Sequence, residues 1–265
     1  SQETRMVSRL TGAIIAAGRG ERLREASGDV PKPLVEIEGQ TLLARQAHCM
    51  LDAGVRRVLA IVNRETAAMM RARALRMPGE LEIVVRDTAS SMESLLTLGE
   101  HLPHGRLVLA TVDAVIERHE FARFVERAAA LSDPFRTGAV DGALGIVRWR
   151  GDRHPLFAEV ASDGLIRGLG ERETPLVTAG VYLLPTRIFQ YARRARERKL
   201  DALRRFLGML VEDGMRFAGI ELIQAIDVDE AADLEVARKF LAQPRSEVHT
   251  QARARKARPE HGSER

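Results

Sequence analysis

The chain has 265 residues, a mass of 29.4 kDa and a formal net charge of +4. Hydrophobic residues make up 45% and charged residues 29%, ordinary values for a globular protein that can bury a sizeable core. The single cysteine excludes an intrachain disulfide, and the spacing of cysteine and histidine matches no zinc site. The short apolar runs exclude a membrane-spanning helix.

Both ends of the sequence are polar. Ser1–Arg9 lacks the apolar segment of a secretory signal, so we expect a cytoplasmic protein. Residues 245–265 contain six basic and three acidic residues, and their polar composition predicts a disordered basic tail. The remaining chain is nearly neutral and poor in aromatic residues, which argues against nucleic-acid binding.

Apolar runs alternate with helical patterns through the first half of the chain. The predicted strands are Gly12–Ala17, Arg57–Val62, Leu81–Val85 and Arg106–Thr111. The predicted helices are Thr41–Ala53, Glu65–Arg76, Ser91–His101 and Glu120–Leu131. This alternation predicts βαβ units on a parallel sheet, and the uniformly apolar strands predict helices on both of its faces.

The second half has shorter β-like runs separated by Asp, Gly and Pro. The predicted strands are Gly142–Trp149, Leu156–Val160, Leu165–Leu169, Val177–Leu184 and Arg216–Ile223. The predicted helices are Thr186–Arg198, Asp201–Glu212 and Glu230–Leu241. No linker separates the halves, so we expect one α/β domain over residues 1–244. Its predicted architecture is a Rossmann-like, three-layer α/β/α fold with a mostly parallel mixed sheet.

The most informative segment joins the first predicted strand to a loop that contains two glycines. It reads Ala16-Ala17-Gly18-Arg19-Gly20-Glu21-Arg22-Leu23. Gly18 and Gly20 can adopt positive φ and allow a ligand close to the backbone, whose amides can then bind an anion. Arginine can contact a phosphate at two points. Lys32 lies between two prolines, so we expect it on a rigid segment that returns towards this loop.

Two common nucleotide-binding motifs do not fit this loop. A Walker A loop needs Gly-Lys-Ser/Thr after its second glycine, and that sequence is absent. A dinucleotide fingerprint needs a third glycine where Leu23 stands. Two glycines alone would fit an ordinary turn, but their combination with Arg22 and Lys32 favours phosphate binding.

The loop and the later Pro31-Lys32-Pro33-Leu34 together resemble the signature of the sugar-1-phosphate nucleotidyltransferase superfamily. Its relatives include phosphocholine, inositol-phosphate and methylerythritol-phosphate cytidylyltransferases and molybdopterin nucleotidyltransferases. The resemblance implies that the loop wraps a nucleoside triphosphate and that Arg22 and Lys32 are catalytic residues contacting phosphates. The implied nucleotide-binding residues of the loop are Ala16, Ala17, Gly18, Arg19, Gly20 and Glu21.

Acidic residues follow two of the predicted strands. Asp113 comes after an apolar strand, at the sheet edge where ligands bind, although a lone aspartate there can also cap a helix or form a turn. Next to a phosphate loop it becomes a candidate Mg²⁺ ligand. The resemblance implies a second carboxylate within Ile226–Glu235, with Asp229 the first choice and Asp227 the second. Asp229 could instead be the N-cap of the last helix, and Asp233 is expected only to complement the helix dipole.

The remaining candidate positions follow from the resemblance. Thr88, Ser90 and Ser91 would contact the base or its ribose, while capping of the helix that follows is the structural alternative for the two serines. The candidate acceptor-binding residues are Glu159, Glu171, Arg172, Thr178 and Gly180. The nucleotide-binding half then covers about residues 10–135 and the acceptor-binding half about residues 136–244.

The expected function is a Mg²⁺-dependent transfer between a nucleoside triphosphate and a sugar 1-phosphate or phosphorylated alcohol, with release of pyrophosphate. No nucleic-acid or membrane partner is expected. A nucleotide-sensing domain without turnover and a glycosyltransferase that uses a nucleotide sugar stay as alternatives. The second would normally have an Asp-x-Asp triplet in mid-chain, where this sequence has Asp113 alone. The sequence leaves open the base, the acceptor and the oligomeric state, a homo-oligomer included.

Overall fold

The computed structural model describes residue 7, residues 9–151 and residues 154–243. The predicted disordered tail at residues 245–265 lies outside this part of the chain. Within it, no helix is both long and apolar enough to cross a membrane.

The described residues form strands that we number in chain order. They are β1 (Thr11–Ala16), β2 (Glu36–Ile37), β3 (Gln40–Thr41), β4 (Val58–Val62), β5 (Leu81–Val85), β6 (Arg106–Thr111), β7 (Ala114–Ile116), β8 (Gly142–Arg148), β9 (Phe157–Val160), β10 (Ile166–Gly170), β11 (Leu176–Pro185), β12 (Phe217–Glu221) and β13 (Ala225–Asp227). Two pairs, β2 with β3 and β7 with β13, form separate two-stranded sheets, and the other strands form one nine-stranded sheet.

The large sheet is mixed but mostly parallel. Its main path is β10-β9-β11-β6-β1-β4-β5, and β8 joins β11 to β12. Strands β5, β4, β1 and β6 are parallel to one another, and β11 is antiparallel to β6, β8 and β9. Only β10 and β11 therefore run against the other seven strands of this sheet, which confirms the predicted class of sheet.

Helices cover both faces of the sheet. They are α1 (Glu21–Ala26), α2 (Leu42–Asp52), α3 (Arg64–Ala72), α4 (Ser91–Gly99), α5 (Arg118–Leu131), α6 (Ala192–Glu197), α7 (Leu203–Glu212) and α8 (Ala231–Ala242). Short 3₁₀ helices cover Lys32–Leu34 and Thr186–Tyr191. The predicted helix at Thr186–Arg198 is thus divided between a 3₁₀ turn and α6, and α3 ends four residues before the predicted Arg76.

Consecutive residues of the central strands face two separate clusters of buried side chains. Ile14 of β1 belongs to the cluster that also contains residues of α2, α5 and α8. Ala13 and Ile15 belong to the cluster formed with α4 and α7. Fully burying an aliphatic side chain such as Ile14 stabilises the fold by roughly 1.5–3 kcal/mol. The two clusters confirm the predicted three-layer arrangement.

Strand β11 approaches the turn between β6 and β7 unusually closely at Gly180. This residue has a φ of +79°, and the register of β11 with β8 shifts between Thr178 and Tyr182. A Cβ atom at Gly180 would lie 2.6 Å from the Ala114 Cβ and 2.8 Å from the Thr111 Oγ1. Glycine is therefore required here by conformation and by space.

Candidate active site

Three carboxylates converge beyond the carboxyl end of β6. Asp113 lies in the turn between β6 and β7, and Asp227 ends β13. Pairing of β13 with β7 aligns Asp227 with Ala114, and the Val228 N–H donates to the Asp113 carbonyl at 3.0 Å. One oxygen each from Asp113, Asp227 and Asp229 lies within 4.8 Å of the others. Carboxylates at this spacing are suitable ligands for a divalent cation that prefers oxygen, such as Mg²⁺.

Lys32 connects two of these carboxylates. Its Nζ donates to Asp229 Oδ1 at 2.6 Å and to Asp113 Oδ2 at 3.2 Å, and only 11% of its side chain is exposed. The short 3₁₀ helix begins after Pro31 and holds Lys32 in place. Burial alone would lower the pKa of Lys32, but the charges of Asp113 and Asp229 more than offset it, so the pKa is raised. Lys32 is therefore a cation at neutral pH.

The carboxylates repel one another. The pKa of Asp227 is raised to about 8, first because the walls of the cleft remove much of its hydration and second because Asp113 and Asp229 are negatively charged. Asp227 still faces the solvent of the cleft. The single charge of Lys32 does not balance Asp113 and Asp229, and Asp227 can lose its proton to a metal ion, so the residues present fit an additional cation at this point.

Asp229 is not the N-cap of the last helix. Glu230 is the N-cap of α8, in a reciprocal capping box with Asp233. Asp233 Oδ2 accepts hydrogen bonds from the Glu230 N–H at 2.8 Å and from the Asp229 N–H at 3.0 Å. The capping alternative for Asp229 is therefore wrong, and Asp233 does more than complement the helix dipole. Because Asp229 does not cap α8, its carboxylate is oriented towards Lys32 instead.

The two glycines of the predicted phosphate loop differ. Gly20 has a φ of +58° and precedes α1, and a Cβ there would lie 2.7 Å from the Lys32 Cβ. Gly18 needs neither a positive φ nor close packing, since no atom lies within 4 Å of its Cβ position. The fold therefore explains why residue 20 is a glycine but not why residue 18 is one. The open space at the Gly18 Cβ position gives a ligand access to the backbone.

The side chains of the loop differ in exposure. Ala16 and Ala17 are buried at the end of β1, whereas Arg19, Glu21 and Arg22 are exposed. Within the described part of the chain, no carboxylate lies within ion-pairing distance of Arg19 or Arg22. Both arginines line a cleft together with Gly20, Glu21, Lys32 and Asp229. Their guanidinium groups are thus available to an anion in this cleft.

A cavity of about 290 Å³ adjoins the carboxylates. Its charged lining residues include Arg22, Asp113, Asp227 and Asp229, and its other lining residues include Val147, Leu156, Val177, Thr178, Gly180 and Tyr182. Burial raises the pKa of Tyr182 to about 12, so its hydroxyl is neutral and can donate a hydrogen bond. The cavity is large enough for part of a small polar ligand beside the carboxylate cluster.

The predicted acceptor residues do not all reach this cavity. Thr178 and Gly180 line it, but Glu159, Glu171 and Arg172 do not. Those three are exposed, and the Arg172 guanidinium lies 3.9 Å from the Glu159 carboxylate. Their role in acceptor binding stays a prediction.

The predicted base-contacting residues have protein partners for their hydroxyl groups. Ser90 caps α4 by accepting from the Glu93 N–H at 3.2 Å, and the Thr88 hydroxyl lies 2.6 Å from that of Ser94. Ser91 Oγ accepts from the Leu203 N–H at 2.8 Å and, unlike Thr88 and Ser90, lines the cavity. Contact with a base stays a prediction for all three.

Two residues near the site were missed by sequence reasoning. Arg204 lines the cavity, and its Nη2 donates to the His154 carbonyl at 2.8 Å. Gln46 is buried in α2 and donates to carbonyls of the turn that contains Asp113. Neither lies in a recognisable motif, because Arg204 belongs to an arginine-rich stretch and Gln46 to an ordinary amphipathic helix. No local sequence signal could have identified them.

A loop with two glycines after the first strand, a lysine on a rigid segment and a carboxylate cluster at the sheet edge agree with the predicted class of nucleotidyltransferase domain. The chain belongs to the family of MobA-like NTP transferase domains, whose family model matches residues 12–206.

Individual relatives agree with this assignment. The chain is 23% identical over 239 residues to a bifunctional IPC transferase and DIPP synthase of Aquifex aeolicus, covering 87% of this chain and 51% of the relative. It is 27% identical over 183 residues to an N-acetylmuramate alpha-1-phosphate uridylyltransferase of Caulobacter vibrioides, covering 64% and 73%. The chain thus spans about half the length of the Aquifex relative.

A solved structure shares the fold. The inositol-1-phosphate CTP transferase from T. maritima superposes with a TM-score of 0.71 at 16% identity, covering 95% of this chain and 98% of that one. At this level of identity the likeness concerns the fold.

Proposed function

We propose that the protein is a Mg²⁺-dependent nucleotidyltransferase that joins a nucleoside monophosphate unit to a small phosphorylated acceptor. The observation that carries this proposal is the cluster of Asp113, Asp227, Asp229 and Lys32 beside the exposed Arg19 and Arg22 of the same cleft. Such a cleft offers cations to phosphates on one side and carboxylates to a metal ion on the other. In this proposal residues of about 10–135 bind the nucleotide and residues of about 136–244 bind the acceptor, within one domain.

The reaction follows from the charges in the cleft. An oxygen of the acceptor phosphate bonds to the α-phosphorus of the nucleoside triphosphate, the bond from that phosphorus to the bridging β-oxygen breaks, and pyrophosphate leaves. The backbone of Gly18 to Arg22 holds the β- and γ-phosphates, and Lys32 and Arg22 offset the charge that develops at the α-phosphate. The acceptor phosphate is already ionised near neutral pH, so no side chain needs to remove a proton from it.

Asp113 and Asp229, with Asp227 beside them, would hold the Mg²⁺. The bound ion would supply positive charge to phosphate oxygens and fix their orientation. Since Lys32 bonds to two of the same carboxylates, its ammonium lies next to the phosphates as well. The protein's part in the reaction is to position two anionic substrates and to compensate their charge.

The proposed acceptor is a sugar 1-phosphate or a phosphorylated alcohol. The names of the Caulobacter and T. maritima proteins support both classes, because one acts on a sugar 1-phosphate and the other on inositol 1-phosphate. Thr178 and Tyr182, which line the cavity beside the carboxylates, would offer hydroxyl groups to such an acceptor.

The test is a pyrophosphate-release assay that crosses the four common nucleoside triphosphates with sugar 1-phosphates, inositol phosphate and phosphocholine. We expect release for at least one pair with Mg²⁺ and none with EDTA. Nucleotide binding without release for any pair would favour a nucleotide-sensing domain. Binding of a nucleotide sugar without pyrophosphorolysis would favour a glycosyltransferase. Release that persists in EDTA would contradict the metal dependence.

A further inference from the structure

Gln46 of α2 is bonded to both sides of the turn that contains Asp113. Its Nε2 donates to the Thr111 carbonyl at 2.7 Å and to the Ala114 carbonyl at 2.9 Å. The residue is 2% exposed, so neither carbonyl can exchange this partner freely for water. One amide group therefore fixes the two ends of the turn relative to each other.

Other contacts restrict the same turn from different directions. The Val228 N–H donates to the Asp113 carbonyl, and Gly180 packs against Thr111 and Ala114. The contacts of Val228 and Gly180 come from elements of the second half of the chain, whereas Gln46 approaches from α2. With all of them present, the Asp113 carboxylate has a defined position relative to Asp227 and Asp229.

The oxygen atom of the Gln46 amide indicates that stability alone does not explain why a glutamine occupies this position. Its Oε1 is buried and has no hydrogen-bond partner among the described residues. An unpaired buried oxygen is unfavourable, whereas an apolar side chain of the same length would avoid it. The orientation of the amide is settled by its surroundings, because two carbonyl oxygens face the nitrogen and require donors.

We propose that Gln46 is a positioning residue for the reaction: its amide holds the turn at Asp113 so that this carboxylate can share a divalent cation with Asp227 and Asp229. This inference rests on the proposed metal-dependent function. Gln46 touches neither the metal nor the substrates, so its effect on the reaction passes through Asp113.

The experiment compares Gln46→Met with Arg45→Met in the full chain. Methionine has nearly the same length as glutamine and lacks its donors. Arg45 is the matched control, because it is 6% exposed on the same helix and its Nη2 donates to the Ile116 carbonyl at 2.6 Å, two residues beyond the turn. Both variants lose buried hydrogen bonds to the segment from Thr111 to Ile116. Only Gln46→Met loses the two bonds to the carbonyls on either side of Asp113.

The measurement is the affinity for Mn²⁺, read from the EPR signal of the free ion well below the unfolding temperature. We expect Gln46→Met to bind Mn²⁺ about 10-fold or more weakly, in the range seen when groups that orient metal ligands are removed. Arg45→Met should stay within about twofold of the wild type. In the turnover assay, Gln46→Met should need a higher Mg²⁺ concentration for half-maximal rate, with a smaller change in the KM for nucleotide.

The outcomes separate this inference from the proposed function. Equal Mn²⁺ affinity of wild type and Gln46→Met, with lower thermal stability only, would mean that Gln46 is merely structural and would overturn the inference. Failure of the wild type to bind Mn²⁺ would overturn the metal site and the inference together. If Gln46→Met does not fold, Gln46→Asn replaces it, because it keeps the amide but is one methylene too short to reach both carbonyls.

Discussion

The two sides of the active-site cleft are built differently. The proposed phosphate side is one continuous segment, from Ala16 to Arg22, followed ten residues later by Lys32. The proposed acceptor side is assembled from residues that are far apart in the chain, such as Thr178, Arg204 and Ala225. The phosphate side is determined by local backbone conformation and charge, whereas the acceptor side depends on how β11, α7 and β13 pack together.

The largest effect is expected at the point where the two sides meet. Asp113→Asn keeps the shape of the side chain but removes its charge, so it should lower kcat by about 10³-fold or more. Thermal melting and circular dichroism should show an intact fold. An active Asp113→Asn enzyme would contradict the assignment of Asp113 as a metal ligand.

Lys32→Met should separate two effects of the same ammonium group. Without the cation next to the α-phosphate, kcat/KM should fall by about 10²–10³-fold in the pyrophosphate-release assay. The affinity of the nucleotide-free protein for Mn²⁺ should rise, because Lys32 no longer competes for Asp113 and Asp229. An unchanged kcat/KM would exclude Lys32 from the phosphate side.

Gly180→Ala tests the close approach of β11 to the turn at Asp113. Positive φ and the contacts with Thr111 and Ala114 together should cost roughly 1–3 kcal/mol or more of unfolding free energy, measured by chemical denaturation. Gly164→Ala is the matched control, because Gly164 has a similar φ of +82° and no atom within 4 Å of its Cβ position. Equal losses in the two variants would mean that close packing at Gly180 is unimportant.

Substitutions on the acceptor side should have smaller effects on the reaction, and only residues that line the cavity should affect the KM for the acceptor. Thr178→Val should raise the KM for the acceptor by about 2- to 10-fold, the usual worth of one hydrogen bond. Arg172→Ala should change it by less than about twofold, because Arg172 lies outside the cavity. The opposite ranking would restore Arg172 as an acceptor-binding residue and place the acceptor nearer to β9 and β10.

The last prediction concerns the pH dependence of the metal-free protein. The native Asp227 carboxyl, with a pKa of about 8, retains a proton that the unfolded chain loses near its ordinary value of 3.8. The free energy of unfolding should therefore fall as pH rises from about 4 to about 8 and then level off. In EDTA, Asp227→Asn should lose less stability between pH 5.5 and 8.5 than the wild type. Parallel melting curves for the two proteins would contradict the raised pKa.

Much of the molecule could be predicted from local patterns. The long strands and helices of the first half were predicted to within a few residues, because each has an uninterrupted apolar or amphipathic pattern. The short β7 and β13 were not, since three residues give no periodic signal. The alternative role of Asp229 as the N-cap of α8 was one residue too early, because Asp229 and Glu230 are both acidic and only the capping geometry distinguishes them.

The sequence by itself determined the loop with two glycines after β1, the position of Lys32 on a rigid segment and the order of strands and helices, because these depend on residues close together in the chain. Tertiary structure decided that Asp113 and Asp229 meet, since pairing of β7 with β13 joins distant segments. It also decided which candidate acceptor-binding residues line the cavity. Only the tertiary structure showed that Gln46 donates to the turn that contains Asp113. Those features depend on contacts between distant residues, which a local sequence pattern does not specify.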